Sequence, residues 1–434
     1  MKKLQLFLNL QIFNSYFIFH TSYFTFMRVF YGWIMLAGLL LAYTATNGIT
    51  VNTLPVFFPV LQAEFGLTAQ QITLAPSLLF LLTAIFSLFF GTLVERFGTR
   101  LLMVLGSIAF VAIYLMFAGI TAYWQFLGIY VLFAVAIILT GILPSVLLVT
   151  RWFEQRRGLA MGILLVGSSL GAAIFPNIVS PIIKNSGWRT AALVLSGIMA
   201  VCVFLPMFFL VRNSPADKNT TPDGLPVKAS FGAASVPEGF TLQEALRMPV
   251  FYLLAFVTAV MWFCIVGVTQ NQTIFFKDIG MDAAFSTRIL TIFGMSAVIG
   301  KLLFGWLSDR FDKRLIMLLA TINLTIGSAI LRIVDTNPSQ LAIVYAIIYG
   351  VGFSGAFTMI QVVIAEYFGG KSYPKILGMF TMIDTLAGSA GAVILGTIRT
   401  NAGSYIPSFT LMVALGAISI VCVILMRKPA LKKV

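Results

Sequence analysis

Long apolar runs alternate with short polar knots along nearly the whole chain. Twelve runs fall at residues 32–58, 70–91, 101–120, 123–150, 159–182, 189–211, 249–276, 285–308, 315–334, 340–366, 375–399 and 404–426. Each is about 20 residues or longer, enough for an α-helix to cross a bilayer core of about 30 Å. Runs such as residues 78–90 show no alternation of apolar and polar positions, which excludes a β-barrel. The widest polar interval, residues 212–248, carries Pro215, Pro222, Pro226 and Pro237 and leaves six runs on each side. It reads as a linker between two bundles. The pattern predicts an all-α membrane protein of twelve transmembrane helices in two six-helix bundles, 32–211 and 249–426. An N-terminal extension, residues 1–31, and a tail, residues 427–434, flank them.

Composition agrees. The chain of 434 residues is 59% hydrophobic and only 10% charged, whereas soluble domains carry about 25% charge. The formal charge of +14 forms no single basic face, so a nucleic-acid partner is not expected. The loops on the side of the N-terminus hold 21 of the 28 Lys and Arg residues, the opposite loops hold six, and the last, Lys301, lies inside the eighth run. Positive charge is retained on the cytoplasmic side, so both termini are expected there, in a cell membrane. Cys202, Cys264 and Cys422 all fall inside apolar runs, and His20 is the sole histidine. Neither a metal centre nor a catalytic dyad is expected, and no cofactor is implied. Residues 1–26 read as an amphipathic surface segment, a signal-like sequence or an extension ahead of a natural start at Met27. The last is preferred, and no function is assigned to them.

The charged knots repeat. Gly91-Thr92-Leu93-Val94-Glu95-Arg96-Phe97-Gly98-Thr99-Arg100 returns 214 residues later as Gly305-Trp306-Leu307-Ser308-Asp309-Arg310-Phe311-Asp312-Lys313-Arg314. Arg151 to Gly158, leading into Ala160-Met161-Gly162, returns as Glu366 to Lys371, leading into Leu377-Gly378-Met379. Recurrence at matching places in two halves marks a duplicated membrane protein, the internal-repeat logic of secondary transporters. Gly162, Gly167 and Gly171 recur as Gly378, Gly388 and Gly391 on the eleventh run, where small residues allow close helix contact.

These residues resemble the major facilitator superfamily, whose loops between spans two and three and between eight and nine follow Gly-x-Leu-Asp/Glu-Arg-x-Gly-x-Arg. Asp312 stands where a second glycine is usual. The resemblance runs from Tyr31 to Arg427 and implies two bundles rocking around a central site. Tyr31-Gly32-Trp33, Arg156 to Gly162 and Gly403-Ser404-Tyr405 resemble the monocarboxylate and oxalate/formate branch. Drug-antiporter relatives usually carry Gly-Pro in span five, where this chain has Gly167-Ser168.

Charges in a bilayer core are costly, and only Lys301 and Asp384 lie clearly inside a span. Lys301 sits roughly 10 Å and Asp384 roughly 13 Å from the cytoplasmic helix ends at about 1.5 Å per residue. At such depths the two are expected to pair, although Lys301 alone could snorkel to the interface. The resemblance implies that Lys301 binds a substrate carboxylate and that a basic residue would follow Gly378 by six positions. Asp384 stands there instead, which puts dianion exchange in doubt and suggests proton coupling. Asn52 takes the place of a lysine that precedes a Val-Phe-Phe triplet in monocarboxylate carriers. Tyr43, Asn47, Thr140, Trp262, Tyr349 and Ser354 are candidates for the polar lining, and Gln270, Asn271 and Gln272 for an outer gate. Gly91, Glu95, Arg96, Arg100, Gly305, Asp309, Arg310 and Arg314 would form a cytoplasmic latch.

The expectation is a carrier of small monocarboxylate-like anions, a proton symporter working by alternating access in the lipid bilayer; a monomer suffices. Export of drugs or amphipathic metabolites and a non-transporting receptor are the alternatives. An enzyme is not expected.

Overall fold

A computed structural model of the chain describes residues 30–224, 239–334 and 340–429. The expected extension up to residue 29, the linker segment with Pro226 and Pro237, and the last five residues of the tail lie outside the described residues. Among the described residues there is no strand.

The spanning helices are α1 (Tyr31–Asn47), α2 (Ala69–Phe97), α3 (Thr99–Ala118) and α4 (Tyr123–Thr140, resuming after Gly141 as Ile142–Trp152). A single helical stretch, Arg157–Met199, contains both α5 (157–186) and α6 (188–199). Gly187 divides them at φ 83°, a left-handed conformation that glycine adopts without a Cβ penalty. The second half follows with α7 (Pro249–Asp278), α8 (Ala283–Arg310), α9 (Lys313–Leu331), α10 (Gln340–Phe368), α11 (Tyr373–Ala402) and α12 (Ile406–Leu425). Eleven continuous helical stretches are long and apolar enough to span a membrane, and the one from Arg157 to Phe209 crosses twice.

Local chemistry sets the helix ends. Thr68 and Gln71 form a reciprocal capping box that starts α2. Asp282 accepts from the backbone N–H groups of Ala284 and Phe285 to start α8. Asp312, which departs from the family pattern, accepts from Leu315 N–H at 3.0 Å and so caps α9. The repeated charged knots are less loop-like than expected. Glu95 and Arg96 complete the last turn of α2, as Asp309 and Arg310 complete α8. Beyond Asn47, α1 continues through a π-helical turn (Gly48–Thr53) and a 3-10 turn (Leu54–Phe57) into Phe58–Phe65. Gly48 and Gly171 press backbone to backbone there, so a Cβ on Gly48 would lie 2.4 Å from the Gly171 Cα.

The packing repeats with the sequence. In the first bundle α1 lies on α5, α4 on α2 and α3, and α6 on α1 and α3; in the second, α7 lies on α11, α10 on α8 and α9, and α12 on α7 and α9. Two seams join the bundles, α2 against α11 and α5 against α8. Phe89, Val201, Val393 and Leu425 are more than half exposed. Outward apolar surface of this extent belongs against lipid. The chain is an integral membrane protein. We call the face with residues 153–156, 212–224 and 369–372 the near face, and the opposite one the far face.

Candidate functional site

Lys301 is buried at the α5–α8 seam, 1% exposed. Its ammonium donates to the hydroxyls of Ser168 and Ser169 on α5, each at 2.7 Å. It lies 5.3 Å from the ring centre of Phe357 and 5.8 Å from that of Phe353, both on α10. The Tyr43 side chain of α1 approaches Ser168 as well. The cation therefore reaches across to the other bundle and does not snorkel to the near face. Among the described residues its partners are neutral hydroxyls and aromatic rings, and no carboxylate forms an ion pair with it.

Asp384 is 4% exposed on α11. Its carboxylate lies beside Thr258 of α7, and Oδ1 has no hydrogen-bond partner. The expected Lys301–Asp384 ion pair is thus absent. Similar depth is not enough, because α8 turns Lys301 toward α5 whereas α11 turns Asp384 toward α7.

The other predicted residues divide. Asn47 and Asn52 are partly exposed and joined, with Asn52 Nδ2 donating to Asn47 Oδ1 at 3.1 Å; they stand on the far-face side of Tyr43. Trp262 on α7 is partly exposed and meets Phe357 edge-on at 5.4 Å between ring centres. Tyr349 is different: it is fully buried and donates to the Cys264 carbonyl at 2.8 Å, inside its own bundle. Thr140 donates to the Met103 carbonyl and Ser354 to the Gly350 carbonyl, so both are packing groups. Asn271 is held by the Gly267 and Ala392 carbonyls and by the Tyr405 hydroxyl, and Gln272 by Tyr345. Of that expected gate only Gln270 is exposed.

The near face is closed, and acids cross it. Asp309 accepts from Gly158 N–H at 2.6 Å and Leu159 N–H at 2.8 Å, placing its charge on the amino end of α5. Glu95 pairs with Lys375 of α11 at 2.7 Å. Gly91 allows the approach, since a Cβ there would lie 2.5 Å from Lys375 N. Gly305 does the same against the Gly158 carbonyl. The four motif arginines do not cross. Arg96 lies over Phe97, Arg310 over Trp306, Arg100 donates to Phe208 O, and Arg314 to the Val423 and Ile424 carbonyls. The motif therefore crosses the seams through its acids, Glu95 by an ion pair and Asp309 by backbone N–H donors, while its arginines hold each bundle's own ends.

Sequence reading missed three participants. Ser169 carried no signal beyond its hydroxyl. Glu366, beside Arg157 of the other bundle and Lys313 and Lys428 of its own, was visible only as part of the repeated loop. Asp223 accepts from Glu154 N–H and Gln155 N–H, tying the described part of the linker to the loop before α5.

Known proteins share this architecture. FucP, a transporter solved in the outward conformation, superposes with a TM-score of 0.67 at 15% identity, covering 90% of this chain and 97% of that one. The MFS-type transporter pytF of Aspergillus terreus is 26% identical over 65% of this chain and 91% of its own length. Human monocarboxylate transporter 6 is 25% identical over 87% of this chain and 76% of its own. The family model described as Major Facilitator Superfamily matches residues 39–287 and 271–434. Family and fold agree: the chain is a transporter belonging to the Major Facilitator Superfamily.

Proposed function

We propose that this transporter carries small organic anions by alternating access, coupled to protons, with Lys301 as the anion's partner and Asp384 as the proton carrier. The observation that carries the reading is a buried ammonium at the junction of α1, α5, α8 and α10 with only neutral partners. Burying an uncompensated charge costs several kcal/mol, and an anionic substrate would offset that cost in the bound state. The similarity to a monocarboxylate transporter agrees. Both termini are cytoplasmic in this reading, as 21 of 28 basic residues favour. The closed near face is then the cytoplasmic one, and substrate enters from outside.

A carboxylate arriving at Lys301 competes with Ser168 and Ser169 for its three N–H donors. Binding thereby loosens the α5–α8 seam that those bonds close. Asp384 has one unpartnered oxygen and no cation beside it among the described residues. A proton taken up there removes the cost of a lone buried carboxylate.

Purified protein in vesicles tests this with labelled lactate, pyruvate, formate and oxalate at two pH values. An acid-outside gradient should drive concentrative uptake of a monocarboxylate, lost in Lys301→Met. Lys301-independent uptake, or saturable binding without flux, would overturn it.

A further inference from the structure

Beside the cation stands a wall that formate or lactate would leave unused. Phe353 and Phe357 stack on consecutive turns of α10, their planes 9° apart, and Phe293 of α8 abuts Phe353 at 5.4 Å between centres. Trp262 extends the row from α7 with its edge-on contact to Phe357. Its indole is partly exposed. The Lys301 ammonium is within 6 Å of both phenylalanine ring centres, so a carboxylate on it is held about one ring's width from this wall. On the opposite side the polar groups are few: the two serines and Tyr43, with Asn47 and Asn52 farther toward the far face.

We propose that the site selects monocarboxylates that carry an aromatic ring, with the carboxylate on Lys301 and the ring against Trp262 and Phe357. This rests on the anion reading above. One cation accommodates one negative charge, and the second ionisable position inside the membrane, Asp384, is an acid and supplies no second cation. Sugars and polyols need a dense set of hydrogen-bonding groups that this wall lacks. An aryl group instead covers the exposed indole and finds edge-to-face or offset-stacked partners. The indole N–H is a donor suited to a 2-oxo or 2-hydroxy oxygen beside the carboxylate.

Pyruvate and phenylpyruvate differ only by the ring and make the test. Counterflow exchange of each labelled acid in proteoliposomes needs no proton gradient, so coupling does not enter. We expect kcat/KM for phenylpyruvate to exceed that for pyruvate at least tenfold, since even one well-placed methylene gives about tenfold. Trp262→Ala should lower that ratio about tenfold, and Trp262→Phe should keep most of it. A wild-type ratio near one with Lys301-dependent exchange overturns the aromatic selectivity and leaves the anion reading standing. Equal loss of both acids in Trp262→Ala, with Trp262→Phe no better, overturns it too, because the indole would then be only structural. If Lys301→Met exchanges both acids as wild type does, the anion reading falls and this one with it.

Discussion

Lys301 of α8 donates to Ser168 of α5, and Ser168 is the residue that Asp384 matches when the two halves are laid over each other at an offset of 216. At the 214-residue offset of the charged knots Lys301 falls on Ser87, whose hydroxyl donates to the Gly378 carbonyl of α11 at 2.9 Å. Each intramembrane charge thus has a serine for its twin, and both serines bond across a seam.

Lys301 should trade stability for function. Lys301→Met removes a buried cation that has no acid beside it, so thermal unfolding in detergent is expected at the same or a higher temperature, by up to a few kcal/mol. Uptake of the anion should fall by about a hundredfold or more, corresponding to roughly 3 kcal/mol of lost interaction. A variant that unfolds early would mean Lys301 is structural.

Asp384→Asn keeps size and hydrogen bonding but cannot release a proton. Proton-driven accumulation should disappear while counterflow exchange persists, and the pH dependence of exchange should flatten. The sign follows from the role: in the native protein, uptake should rise as external pH falls, because the protonated form is the loaded one. A pH profile unchanged by the substitution removes Asp384 from the coupling.

The near-face latch should be unequal. Asp309→Asn loses the charge on two backbone donors and should favour near-face opening by about 1–3 kcal/mol. Glu95→Gln breaks a pair whose side chains are each about one third exposed, worth at most about 1 kcal/mol. Spin-label distances between α5 and α8 at the near face should therefore broaden more for Asp309→Asn than for Glu95→Gln.

Gly378 and Gly162 set how closely the seams approach. A Cβ on Gly378 would lie 2.2 Å from the Ser87 carbonyl, and one on Gly162 would lie 2.4 Å from the Lys301 carbonyl. Gly378→Val should hold the near face apart, make cysteines introduced along the near-face seams reactive to impermeant thiol reagents and abolish transport. Normal closure would show that the helices can part there without loss.

Most of the fold was legible because hydrophobic length and a repeated motif are one-dimensional signals. All twelve spans and the two bundles could be read from them. The pairing of Lys301 with Asp384 could not, since depth counts residues along an axis and says nothing of which neighbour each helix faces. Tyr349 and Asn271 show the same limit: a polar residue in the middle of a span serves packing or lining according to its azimuth. The two broken repeat positions were legible in the overlay, because a duplicated helix keeps its seam while its side chains diverge. Glu366 and Asp223 act through contacts far apart in the chain, and no local pattern announces those.

Gly162 against the carbonyl of residue 301 and Gly378 against that of residue 87 are one contact made twice, yet charge enters only one of them. Within the membrane the α2–α11 seam is thereby a plain bearing, with its Glu95–Lys375 pair confined to the near-face end, and the α5–α8 seam is the keyed lock. With Lys301 as the proposed anion partner, cargo has only to turn the lock, and a carrier built this way could be re-keyed for a different cargo along one seam while the bearing, and with it the stroke, stays as it was.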